Sequence, residues 1–305
     1  MNWSSDENIK ITFRLLNIKG FGPVQTNKIL YSLKYVVDSS SQLEESISNL
    51  LADEQLSYFK RPYELFQKDG MVRYVSMLDS EVYPLMLIDM LSQNSPTVLS
   101  YMGNLNLLKK RRVGFSGSRK VSEKGLWITK DIVSQLGEED ICIVSGYANG
   151  VDAMAHRTAL ESGATTIIVL PEGISNFYVR SALKDVWDWD RVLVVSEFLP
   201  HEKWMASKAM KRNSTIIALS DAMIVVEAGE TGGSLDAGMK TLRVRKPLFV
   251  PRFKEPTSSN AGNNILLANS ASPLGFDSIS NHTNLSGLRE SLSFSNCSAG
   301  IFNIP

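Results

Sequence analysis

The stretch Ser145-Gly-Tyr-Ala-Asn-Gly-Val-Asp-Ala-Met-Ala-His156 sets small residues, an amide, a carboxylate and an imidazole at fixed offsets. Ser145, Gly146, Asn149 and Gly150 suit a turn that brings backbone amides against an anion at a helix N-terminus. Asp152 and His156 fall four apart, on one helical face. They have the residue types of an acid and a base, histidine being the common proton carrier near neutral pH. No nucleophile or metal partner accompanies them, so the pair reads as a structural brace of the turn. Ser116-Gly117-Ser118-Arg119 ends in a guanidinium whose planar fork matches a phosphate. Gly232-Gly233-Ser234 offers amides and a hydroxyl to an anion, while Glu227 and Glu230 repel one unless they turn aside. Lys208, Lys211, Arg212 and Asn213 form either a basic groove or a solvated helix face. Lys240, Arg243, Arg245 and Lys246 read as solvated. Farther forward, Gly20-Phe21-Gly22 joins two helical segments. It is either a helix-hairpin-helix turn aimed at a nucleic-acid phosphate, with Lys19 and Lys28 beside it, or a plain αα-hairpin.

Regular elements must hold these clusters in place. Apolar residues recur at helical spacing from residue 8 to about 75, with a break at Ser76–Pro84. Pro96–Met102 reads as a strand. Beyond Lys109, β-branched runs at 113–115, 141–144, 165–170, 192–195, 222–226 and 247–250 alternate with helix-compatible stretches at 122–137, 150–162, 207–218 and 233–243. That alternation predicts an α/β fold with a parallel, helix-covered sheet. Ligands bind such sheets beyond the carboxyl ends of the strands, where every anion-type turn falls. The expected domains are 1–78, helical; 79–273, the α/β domain; and 274–305, a Ser- and Asn-rich tail.

Composition narrows the class. The chain has 305 residues, 43% hydrophobic and 21% charged, as ordinary globular proteins do. Its 32 basic and 32 acidic residues cancel, so any nucleic-acid site is a local patch. Of the two cysteines, Cys142 sits in an apolar run and Cys297 in the tail; neither their number nor any Cys/His spacing suits a zinc site. No metal and no cofactor are expected. The polar N-terminus does not read as a signal peptide, and no apolar run approaches the roughly 20 residues of a membrane helix, so the expected setting is cytoplasmic.

The ordered motifs resemble the DprA/Smf family of bacterial DNA-processing proteins. They run from Asp79…Tyr83-Pro84 through Gly117-Ser-Arg119, Ser145–His156, Val169-Leu-Pro-Glu-Gly173, Arg212-Asn213 and Gly233-Ser-Leu235 to Gly262-Asn-Asn-Ile-Leu266. The resemblance implies an N-terminal all-helical domain of helix-hairpin-helix or SAM-like type, followed by an extended Rossmann-like domain that self-associates as a dimer. It implies single-stranded DNA binding without catalysis, protection of that DNA, and loading of the RecA recombinase in transformation. Arg119 and the basic residues near Arg212-Asn213 would line the phosphate pocket.

Three departures stand out. Ala209 and Met210 replace a Phe-Pro pair, and Ser214 replaces an arginine. A base-stacking contact of about 1–3 kcal/mol is thereby missing; Phe177, Tyr178, Trp187, Trp189 and Trp204 are the aromatic candidates to replace it. No winged-helix unit is expected after residue 273. The alternative function is a nucleotide sensor or nucleotide hydrolase of the same superfamily, acting in antiphage defence. Against hydrolysis, Ala237 occupies the position that resembles the catalytic glutamate of phosphoribohydrolases.

Overall fold

The computed structural model describes residues 1–295; Cys297 and the end of the expected tail lie outside the described residues. The described residues divide into two compact units, residues 1–102 with 172–177 and 195–204, and residues 103–171 with 178–194 and those from 205 onward.

In the smaller unit, α1 (Asp6–Leu16), α2 (Pro23–Leu33), α3 (Ser40–Leu50) and α4 (Asp53–Phe59) precede β1 (Arg73–Ser76), α5 (Leu85–Leu91) and β2 (Val98–Gly103). Ser5 caps α1, and Pro23 opens α2 at a position where its missing N–H costs nothing. Ile9, Phe13, Leu30, Leu43, Ile47 and Phe59 bury the apolar stripes of the four helices. The helical reading of 8–75 is corrected at its end. Residues 60–72 form no helix, and β1 pairs antiparallel with β2, Tyr74 opposite Ser100. Three of the four β1 residues are buried, so the strand shows no period of two to betray it. Ser4 Oγ donates to Asp79 and accepts from the Ser76 N–H, so β1 is tied to the helices. The expected division at residue 78 therefore falls inside this unit.

The larger unit holds β3 (Arg112–Ser116), α6 (Glu123–Glu138), β4 (Cys142–Ser145), α7 (Val151–Glu161), β5 (Thr166–Val169) and the first three residues of β6 (Val192–Ser196). It continues with α8 (Ala206–Leu219), β7 (Ala222–Val225), α9 (Gly233–Arg243), β8 (Leu248–Pro251), α10 (Ala261–Ala268), β9 (Ser272–Leu274), β10 (Phe276–Asp277), β11 (His282–Thr283) and α11 (Ser286–Ser295). Its strands lie in the order β6-β5-β4-β3-β7-β8-β9. The pairs from β5 to β9 are parallel, with Val113 opposite Ile143 and Ala222, and Ile224 opposite Phe249. Each strand predicted from the β-branched runs after Lys109 is present within two residues, and so is each helix between them. Val113, Phe115, Ile143 and Ile224 point to one face and pack against Ile132 and Leu136 of α6 and Ala155 and Ala159 of α7.

The tail expectation is corrected as well. Leu285, Leu288 and Leu292 are buried in that same core, and β10 and β11 pair as a small antiparallel ribbon. Asp131 of α6 fixes the ribbon: its carboxylate accepts the Thr283 N–H at 2.7 Å and contacts His282 Nδ1 at 2.5 Å.

Candidate phosphate-binding edge

Because β3, β4 and β7 run parallel, the loops after them open on one edge. The first is Gly117-Ser118-Arg119, with Gly117 and Ser118 half-buried and Arg119 exposed. The Ser118 hydroxyl accepts the Lys120 N–H at 3.1 Å, tightening the turn. Ser122 caps α6 by accepting the Gly125 N–H at 3.0 Å.

The second loop follows β4 and locks against the first. Gly150 has φ +78°, and a Cβ there would overlap the Ser118 carbonyl oxygen. Glycine alone meets both demands. Beneath it the structure corrects the expected anion wall. Ser145 is fully buried, and its hydroxyl donates to the Phe115 carbonyl at 2.8 Å. Gly146 is buried too, and a Cβ there would overlap the Arg212 guanidinium and lie 2.5 Å from Asp152 Oδ2. Asp152 accepts the Ala148 N–H at 3.2 Å in the first turn of α7. A carboxylate thus already occupies the positive end of that helix. Ser145 and Gly146 shape the corner from within, and only Asn149 and Gly150 reach its rim.

His156 is fully buried under this corner. Its Nε2 lies 2.5 Å from the Gly146 carbonyl and its Nδ1 2.7 Å from Thr166 Oγ1. Burial pushes its pKa down to about 4, so the ring is neutral at pH 7. The carbonyl can only accept, so Nε2 carries the proton, and the Thr166 hydroxyl lies between Nδ1 and the Ile143 carbonyl, 3.0 Å from the latter. The ring bridges the β4 end to β5. Cys142 is likewise sealed in, its thiol pushed up to about 12 by burial.

Arg212 departs from the expected surface groove. It is 5% exposed, and its Nη1 donates to the Val169 carbonyl at 3.0 Å. The helical period turns it toward the sheet, whereas Lys211 is exposed and Lys208 half-buried. Asn213 donates to the Gly233 carbonyl at 3.2 Å, joining α8 to the third loop. That loop, Gly232-Gly233-Ser234, opens α9, with both glycines exposed. Glu227 turns aside from it: its carboxylate accepts the Ser122 N–H at 3.1 Å and the Ser122 hydroxyl, while the exposed Glu230 precedes the loop and Asp236, in the first turn of α9, pairs with Lys240 at 2.9 Å. Lys246 is corrected too. It is half-buried and caps α8 by donating to the Ile217 carbonyl at 2.6 Å, and burial lowers its pKa to about 8.

One cation escaped the sequence reading. Arg180 lies 4.2 Å from the centre of the Tyr147 ring, donates to the Tyr147 carbonyl, and reaches Asn149 Oδ1 at 3.2 Å. Its distance along the chain gave no periodic signal. Among the aromatic candidates, Phe177 is buried, while Tyr178 is 66% and Trp204 48% exposed.

Parallel strands covered by helices, with these turns along their carboxyl edge, place the larger unit in the Rossmann-like class of α/β proteins. Residues 74–284 match the model of the DNA recombination-mediator protein A family, and the chain belongs to that family, which is the expected DprA/Smf group. It is 38% identical over 176 residues to DNA processing protein DprA of Streptococcus pneumoniae, covering 57% of this chain and 61% of that one. The corresponding Bacillus subtilis protein is 30% identical over 175 residues, 56% of this chain and 58% of that one. The matches thus span about three fifths of these relatives' length. The crystal structure of the Streptococcus pneumoniae protein is similar with a TM-score of 0.68 and 27% identity, over 88% of this chain and 94% of that chain. Helicobacter pylori DNA processing protein A, whose structure is described for its single-stranded DNA binding mode, shares the fold with a TM-score of 0.58 and 23% identity, over 74% of this chain and 96% of that one.

Among the described residues no helix is long and apolar enough to cross a membrane, and no three His, Cys, Asp or Glu side chains are grouped to hold a metal.

Proposed function

We propose that the carboxyl edge of the larger unit grips the phosphodiester backbone of single-stranded DNA without cutting it. The observation that carries this is the convergence of Gly117–Arg119 and Gly232–Ser234 on one sheet edge, with Arg119 and Lys211 exposed there and Glu227 turned away. Backbone amides, hydroxyls and a forked guanidinium suit a phosphodiester regardless of sequence. Family membership supports the same reading, as does the single-stranded DNA binding mode described for the Helicobacter pylori relative. Binding rather than hydrolysis is supported by Ala237, buried at the position that resembles a glutamate in nucleotide hydrolases. Protection of the strand, loading of RecA, a homodimer and a cytoplasmic setting belong to the proposal. A salt-series titration with single-stranded DNA, duplex DNA, RNA and mononucleotides tests it. Tight binding of the single strand with a steep salt dependence is the expected result. A preference for mononucleotides would overturn it in favour of a nucleotide sensor.

A further inference from the structure

A second basic and aromatic feature lies farther along the same edge. A groove of about 1020 Å³ opens between α6 and the ends of β8 and β9, floored by Ile128, Pro251 and Leu274. Trp127 and Phe276 stand on its walls, 44% and 57% exposed, with ring centres 5.8 Å apart. Phe253 lines it with Lys124 Nζ 5.6 Å from its ring centre, and Arg252 and Lys254 add two more cations. None of the lining residues is acidic. Asp277, next in sequence to Phe276, is turned away: it accepts the Ile279 N–H at 2.9 Å and the Ser280 hydroxyl at 3.1 Å.

The topology places this groove on the same sheet edge as the phosphate-binding turns. Lys124 lies in the first turn of α6, directly after the Gly117–Ser122 loop. Pro251 and Leu274 end strands parallel to β3, and β8 is two strands from it. At about 4.8 Å per strand, the groove begins roughly 10 Å from Arg119's loop. Exposed ring faces beside cations, in a groove with no acidic lining residue, are the chemistry that binds nucleobases joined by phosphates.

We propose that this groove is a second subsite for single-stranded nucleic acid, in which Trp127 and Phe276 stack bases of a strand whose neighbouring phosphates lie at Arg119. The proposal rests on the reading of the edge given above.

The test uses the full chain and two oligothymidylates, one of about four nucleotides and one of about fifteen, bracketing the span of such single-strand sites. The double variant Trp127→Ala/Phe276→Ala is expected to weaken the longer oligonucleotide about tenfold and the shorter less than twofold, and Trp127→Phe to keep most of the affinity. Light-induced crosslinks from a bromodeoxyuridine strand are expected at Trp127 or Phe276. If the double variant does not fold, Lys124→Gln/Lys254→Gln, at exposed positions, is expected to show the same dependence on length. Unchanged affinity for the longer strand in a folded variant overturns the subsite. So does a dimer that dissociates in the double variant while each protomer keeps its affinity, since a second copy would then own the groove. Arg119→Ala separates the two readings. If it weakens both lengths and the groove variants weaken neither, only the subsite falls; if it weakens neither, the phosphate edge itself falls.

Discussion

The imidazole of His156 and the carbonyl of Gly146 meet at 2.5 Å inside a corner from which solvent is excluded. Burial lowers the histidine pKa from 6.5 to about 4, which gives the fold a pH dependence with a definite sign. Above pH 6.5 the ring is neutral in the folded and unfolded chains alike, and its contribution is fully present. Between 6.5 and 4 only the unfolded chain takes up the proton, so stability falls as pH falls, by about 3 kcal/mol at the lower limit. Urea melts of the wild type and His156→Gln between pH 7.5 and 5 check this. The variant is expected to be about 1–3 kcal/mol less stable at pH 7.5, because its buried bonds are poorly remade, and the difference is expected to shrink toward pH 5.

Arg119→Ala probes the edge itself. Loss of one charge-assisted contact costs about 1.5–3 kcal/mol, or roughly 10- to 100-fold in affinity for single-stranded DNA. Removing one phosphate contact also lowers the slope of log affinity against log salt by about 0.7. Anisotropy titrations at several salt concentrations read both quantities. Equal affinity at matched salt, with an unchanged slope, would remove Arg119 from the site.

The two predictions draw on information that the sequence reveals unequally. Arg119 stands at the end of a clear β-branched strand, so its place on the carboxyl edge follows from alternation alone. His156 was readable as a brace because nothing reactive accompanies it. Arg212 and Ser145 misled because residue type shows what a side chain can bind but not which way it faces. A helix of 3.6 residues per turn rotates Arg212 inward while Lys211 stays in water. Ser145 ends a strand buried on both faces, where no alternation marks an outward side. Glu227 shows the converse: its partner Ser122 lies 105 residues away, a pairing that exists only once β3 and β7 are neighbours. Arg180 is hidden in the same way.

Gly150→Ala tests whether the two loops must interlock. The substitution places a side chain at φ +78° and drives it against the Ser118 carbonyl. Left-handed backbone costs about 1–2 kcal/mol for an alanine, and overlap with fixed backbone adds about 1–3. A loss of about 3 kcal/mol in thermal or urea melts is expected. Relief of the overlap by moving the Gly117–Arg119 loop would weaken DNA binding as well. A variant as stable as the wild type would show that the loops are not held together at this point.

Leu288→Ala asks whether the chain beyond residue 273 belongs to the core. The sequence there is rich in serine and asparagine, and its overall polarity masks the spacing of Leu285, Leu288 and Leu292. Three, four and seven residues separate members of one helical face, and all three leucines are buried with Ile132 and Phe115. Truncating a fully buried leucine removes its transfer energy and leaves a cavity, so a loss of about 2–5 kcal/mol is expected in urea melts. Serine at the exposed position 290 in place of Glu290 is expected to change stability by less than about 0.5 kcal/mol. The contrast distinguishes a packed helix from an appended tail. If both substitutions are equally mild, α11 contributes nothing to the core it touches, and the earlier division at residue 273 would be restored.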